Sequence, residues 1–215
     1  MDRPITVLSM GMSADGKNSA GAAGELDADR EFPESSGVEE GPRQHQEIEQ
    51  MRERSGAVSL RPMTAEMYHV YYMEYRNDPD LYMDKSEYAP FVYSPEWVER
   101  YIQRQISKNR KCFAIMVGDE MAGEIILKNI EPGRCATLGI CMKNDRYKNR
   151  GIGTRAEELV IDYVFQEMDI PVLWADTLVT NTRSRHVLEK LGFQLLRGEG
   201  DFLYYRITRG EMNRE

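Results

Sequence analysis

From Ile152 onward, apolar residues recur at Ile152, Ala156, Leu159, Val160, Tyr163 and Val164, the spacing of a helix that buries one face. Upstream, residues 57–61 read as a strand and 64–76 as an amphipathic helix. Residues 94–108 form a second helix, with Ser94 as its cap and Pro95 in the first position, where a missing amide costs nothing. Shorter β-rich runs follow at 112–117, 121–130 and 136–142. They are separated by Gly118-Asp119-Glu120 and Glu131-Pro132-Gly133, turn residues at a spacing that predicts an antiparallel meander. Beyond the helix at Ile152 come a strand at 172–178 and a helix at 182–191 capped by Asn181 and stopped by Gly192. A last strand or hairpin runs through 193–207. The fold class expected is α/β (α+β), a mixed, mostly antiparallel central sheet flanked by helices. Residues 78–93, rich in aromatics and proline, fit neither period.

The apolar content is uneven along the 215 residues. Residues 1–55 hold one aromatic, Phe32, and 12 acidic against 6 basic groups. Such a segment cannot repay its ordering entropy and is expected to be a mostly disordered acidic tail, with residues 46–54 at most a short helical lead-in. Residues 56–210 are then one domain, nearly neutral, which argues against a nucleic-acid partner. Residues 5–12 are too short an apolar run for a signal peptide, and nothing reaches the length of a membrane span. A cytoplasmic protein is expected. Cys112, Cys135 and Cys141 lie in or beside strand-like runs and read as reduced, buried thiols. His45, His69 and His186 show no ligand spacing, so no metal centre is expected.

The chemistry centres on Lys148-Asn149-Arg150-Gly151-Ile152-Gly153-Thr154, a basic, glycine-bearing loop that runs straight into the helix at Ile152. Its glycines let the backbone approach phosphate oxygens, and the unpaired amides and dipole at a helix start favour an anion. A nucleoside-triphosphate loop would need Lys-Ser/Thr after its glycines and has none here. A dinucleotide site is suggested by Gly151-Ile152-Gly153-Thr154-Arg155-Ala156 with Asp176 downstream. Against it, the polar run 143–150 separates the preceding strand from Gly151, and the chain after Asp176 is too short for the rest of a doubly wound sheet.

The third candidate is coenzyme A, and here the sequence resembles the GNAT-type N-acetyltransferases. The loop is similar to that family's Arg/Gln-x-x-Gly-x-Gly/Ala, and Asn181-Thr182-Arg183-Ser184 followed by Glu189-Lys190-Leu191-Gly192-Phe193 is similar to its second element. Leu60-Arg61-Pro62-Met63-Thr64 resembles its opening strand and Met121–Leu127 its central hairpin. The resemblance covers roughly residues 57–209 and is closest to the branch of the ribosomal-protein N-terminal acetyltransferases.

The resemblance implies that acetyl-CoA is the co-substrate and a primary amine, small or a protein N-terminus, the acceptor. It also implies a splay between two central strands that takes the pantetheine arm. Ile140 and Met142 would offer backbone groups to that arm, and Lys148, Asn149, Arg150, Gly151, Ile152, Gly153 and Thr154 would bind the pyrophosphate. Asn181 would act as helix cap and pantetheine contact, and residues 78–93 would help form the acceptor site. Ser184 is the candidate to protonate the thiolate. Glu124 is the candidate to direct a water onto the amine, its plain alternative being an exposed strand carboxylate. Two positions depart from the family pattern: Leu188 stands where many members carry a tyrosine acid, and Thr137 where relatives often carry a glutamate. Tyr204 and Tyr205 are possible substitutes for the acid. These departures motivate a second reading, a coenzyme-binding regulatory module without catalysis; a nicotinamide-dependent dehydrogenase is the third. A homodimer is the assembly considered. An α-amine acceptor would need only a weak base, because about a quarter of it is neutral at pH 7.4 against about 0.1% of a lysine side chain.

Overall fold

The computed structural model describes residues 58–212; the acidic tail expected over 1–55 lies outside the described residues. Seven strands form one sheet in the order β1-β2-β3-β4-β5-β7-β6. They are β1 (Val58–Pro62), β2 (Lys111–Val117), β3 (Glu120–Glu131), β4 (Cys135–Met142), β5 (Val172–Leu178), β6 (Gln194–Glu199) and β7 (Phe202–Thr208). Every neighbouring pair is antiparallel except β4 and β5, which run parallel. A parallel pair needs a crossover, and the helix α3 (Ile152–Gln166) supplies it. The other helices are α1 (Ala65–Glu74), α2 (Pro95–Ser107), α4 (Thr182–Lys190) and the short α5 (Arg209–Met212).

Alternation along the strands divides the core between the two faces of the sheet. On one face, α3 buries Ala156, Leu159, Val160 and Val164 against Phe113, Ile115, Ile125 and Leu127. On the other, α1 and α2 pack Tyr68, Tyr71, Tyr72, Tyr75 and Tyr101 against Ala114 and Met116. The tyrosines of α1 recur at helical spacing, and edge-to-face contacts such as Tyr72 on Trp97, with ring centroids 4.9 Å apart, knit the two helices together.

The helix boundaries follow the local chemistry. The Thr64 hydroxyl accepts from the Met67 amide, the Ser94 hydroxyl from Trp97, and the Asn181 side chain from Ser184 at 3.1 Å. Gly192 leaves α4 in the left-handed region at φ +86°, a conformation that costs glycine nothing. The stretch 78–93 holds only two short 3-10 turns, Pro79–Leu81 and Lys85–Glu87. The three cysteines are free but only part-buried, a correction to the expectation of buried thiols.

One glycine is required by packing. A Cβ built on Gly123 would lie 2.7 Å from the Cys141 carbonyl oxygen, so β3 and β4 approach at this point only because the side chain is missing. Gly123→Ala is expected to push the Cys141 end of β4 outward and lower stability by about 1–3 kcal/mol, read as a drop in urea midpoint with an unchanged slope.

Candidate active site

The β4–β5 ladder is short. Pairing covers Cys135–Leu138 against Val172–Ala175 and stops there, while β4 continues to Met142 and β5 to Leu178. Beyond Leu138 and Ala175 the two parallel strands part, and a cleft opens between them.

Its outer end is the start of α3. Gly151 is the cap residue, at φ +75°, with no side chain bonding back to the helix amides. Asn149 is also left-handed, at φ 57°. The first amides of α3 are therefore open, and no acidic residue stands in the first turn, the arrangement that favours a bound anion. A Cβ on Gly153 would meet only Ile140 and Met142 side-chain atoms, each at 3.7 Å. At this end Lys148, Asn149, Gly151, Gly153 and Thr154 line the cleft together with Ile140 and Met142. Asn181 and Ser184, from the start of α4, line both its outer and its inner part.

Residues 58–194 match the family model of the acetyltransferase (GNAT) domain. The chain belongs to this family.

A spermidine N(1)-acetyltransferase of Escherichia coli K12 is 26% identical over 157 residues, covering 72% of this chain and 81% of that protein. Among solved structures, the ribosomal L7/L12 α-N-protein acetyltransferase in complex with coenzyme A superposes with a TM-score of 0.59 at 19% identity, covering 72% of this chain and 95% of that one. A dodecameric spermidine N-acetyltransferase from Vibrio cholerae gives 0.57 at 16% identity, over 74% and 97%. As a GNAT domain the protein is an acyl-CoA-dependent N-acetyltransferase, with acetyl-CoA as its co-substrate. The dinucleotide reading loses its basis: one parallel pair in an otherwise antiparallel sheet is not a doubly wound fold. Among the described residues no helix is long and apolar enough to cross a membrane.

Within the GNAT cleft, three residues singled out in the sequence are placed differently from their neighbours. Arg150 is exposed and does not line the cleft; its guanidinium donates to the Arg146 carbonyl at 3.4 Å. The Ile152 side chain belongs to the core, leaving only its backbone at the helix start. Glu124 is not an exposed strand carboxylate. It is 1% exposed, on the face packed by α1 and α2, and its carboxylate accepts from the Tyr101 hydroxyl at 3.2 Å. Burial pushes its carboxyl up to about 7. Its cross-strand partner Cys141 lines the cleft, and Glu124 itself does not. Thr137 accepts from Asn129, and Leu188 is buried at the inner end of the cleft. Tyr205 donates to Glu189 at 3.1 Å, and Tyr204 lies under Arg197. His186 is exposed.

Three acidic residues take places in the cleft that sequence reading did not give them, Asp176 having entered only as the acidic partner of a dinucleotide site. Asp78, 70 positions before Lys148, accepts from the Lys148 ammonium at 2.8 Å and also from Arg183, joining two cations at the outer end of the cleft. Burial pulls the Lys148 ammonium down, but Asp145 and Asp78 outweigh it and hold its pKa above the usual lysine value. Asp176 stands where the strands part, with Oδ1 3.2 Å from the Lys128 ammonium. Glu157, on α3, is 3% exposed and lines both parts of the cleft. The one signal for Glu157 was a charged residue directly after Ala156, on the edge of the buried stripe.

The Asp78 contact gives a prediction. A carboxylate between two cations cancels charge that a diphosphate would otherwise use, so Asp78→Asn is expected to tighten coenzyme A binding about tenfold in calorimetry at low salt, with the gain shrinking as salt rises.

Proposed function

We propose that this protein transfers the acetyl group of acetyl-CoA to a primary amine by direct attack of the amine on the thioester. The observation that carries the reading is the continuity of one cleft, from the open amides of α3 to the point where β4 and β5 part. Amides and cations at the outer end suit a diphosphate, with Lys148, Asn149, Gly151, Gly153 and Thr154 around it and the Ile152 backbone at the helix start. The unpaired edge of β4 beyond Leu138 offers the Ile140 and Met142 backbone groups to the amides of pantetheine, as a neighbouring strand would. Asn181 and Ser184 then face the inner arm, and the Ser184 hydroxyl suits a hydrogen bond to the sulfur.

The amine approaches from the α1–α2 side. There the 78–93 segment contributes Leu81 to both parts of the cleft, and Tyr82 and Met83 line an adjoining hollow with Thr180 and Arg183. Two acceptor classes fit a primary amine at this place, a small polyamine and a protein α-amine, and each is the acceptor named for a similar protein. Catalysis asks for a neutral amine, a stabilised oxyanion and a proton for the thiolate.

The test is incubation with acetyl-CoA and a panel of spermidine, simple diamines and peptides with free N-termini, followed by mass spectrometry of the products and thiol release. An acetylated amine supports the proposal and names the class. Coenzyme binding with no transfer to any member would leave a binding module instead.

A further inference from the structure

Breaking the thioester leaves a thiolate that must be protonated, and one acidic group in the cleft has no part in the scheme above. Glu157 lies on α3, four residues or about 6 Å along the helix beyond Gly153, and lines the same two parts of the cleft as Ser184. Its Oε2 is buried with no hydrogen-bond partner. An ionised carboxylate in that setting is costly, so the group keeps its proton, burial alone pushing it up to about 8. Held neutral, a carboxyl is a hydrogen-bond donor.

The other proton-bearing groups lining the cleft suit the task less well. Tyr75 and Cys141 are both pushed upward by burial, and the Ser184 and Thr154 hydroxyls are far weaker acids than any thiol. Asp176 is engaged with Lys128 as an ion pair. Glu157 alone among these has an acidity close to that of a thiol, near 8.5, the match at which proton transfer is most effective.

We propose that Glu157 is the general acid of this active site, giving its proton to the coenzyme A sulfur as the carbon–sulfur bond breaks. The proposal rests on the acetyl-transfer reading above. The neutral amine nitrogen forms a bond to the acetyl carbon, the carbon–sulfur bond breaks with its electron pair going to sulfur, and sulfur takes the Glu157 proton. The acylated nitrogen releases one proton to solvent and Glu157 regains one, leaving the N-acetyl amine and the free thiol.

Glu157→Gln keeps the shape and removes the acid. With the best acceptor of the panel, the variant is expected to lose about 100-fold in kcat, while coenzyme A affinity by calorimetry stays within about twofold. The wild-type kcat is expected to fall as pH rises past about 8, and the variant to lack that limb. The titratable and charged groups that line the cleft with Glu157 from the other elements are Tyr75, Arg76, Asp78, Arg110, Lys128, Cys141, Tyr147, Lys148, Asp176 and Arg183. All are unchanged in the variant, so a limb that disappears belongs to Glu157. Full kcat with the limb retained would overturn the proposal, and so would weakened coenzyme A affinity with kcat preserved at saturation, which would make Glu157 a binding group. Wild-type protein that binds coenzyme A yet acetylates no amine would instead remove the reading on which the proposal stands.

Discussion

Gly153→Glu is expected to abolish coenzyme A binding while leaving the domain folded. The position tolerates a Cβ, since the nearest atoms are the ends of the Ile140 and Met142 side chains at 3.7 Å. Gly153→Ala should therefore cost less than about tenfold. A glutamate differs in two ways: its carboxylate reaches into the space over the open α3 amides, and its charge repels the diphosphate. Two like charges about 5 Å apart, at the effective dielectric of a protein surface, oppose each other by about 3 kcal/mol, or roughly 200-fold in affinity. Steric filling adds to that. Glutamate is a good helix former, and in the first turn of α3 it also suits the helix dipole, so the variant should melt near the wild type. Calorimetric titration with coenzyme A is the measurement. Unchanged affinity would show that the diphosphate does not lie at this helix start, and the cofactor assignments along β4 would lose their anchor.

How much was legible in the sequence follows from which interactions are local. Caps and turns were readable because a Ser, Asn or Gly acts on amides within a few residues: Ser94, Asn181, Gly151 and Gly192 all do what their positions suggest. The apolar period of α3 was readable for the same reason. The splay was not, because a strand's composition does not say where pairing with a neighbour ends; it came from family resemblance, and the register after Leu138 bears it out. The face occupied by a strand residue was equally hidden. Glu124 read either as a carboxylate that directs a water onto the amine or as a solvent-facing one, yet the twelve-residue strand β3 is buried on both sides over most of its length, so alternation carried no information about exposure. The places of Asp78, Asp176 and Glu157 in the cleft were missed for a third reason. Each acquires its meaning from partners, or from the lack of one, across 48 or more positions or across an enclosed cleft.

The buried carboxyls make a second large effect, on stability against pH. Glu124 and Glu157 titrate near 4.5 when exposed, but burial raises them to about 7 and about 8 in the folded chain. Between the unfolded and folded values the native state holds a proton that the unfolded state has released, so stability falls with rising pH. Both contribute from pH 4.5 to 7, and only Glu157 from 7 to 8. Their stabilising effect is complete below pH 4.5 and gone above the folded value, a loss on the order of 3 kcal/mol for Glu124 and about 5 kcal/mol for Glu157. Urea unfolding of the coenzyme-free domain at closely spaced pH values should trace that decline. Glu124→Gln should roughly halve the slope between pH 5 and 7, leaving the region above 7 untouched. Glu157→Gln should flatten the last step between 7 and 8. Because an amide holds no proton to lose, each variant should be more stable than the wild type at pH 8.5, the reverse of what removing a structural ion pair would do. Wild-type stability that stays level from pH 5 to 8 would mean both carboxylates gain charged or solvent partners when ionised, and the neutral carboxyl required of Glu157 in the cleft would no longer be available.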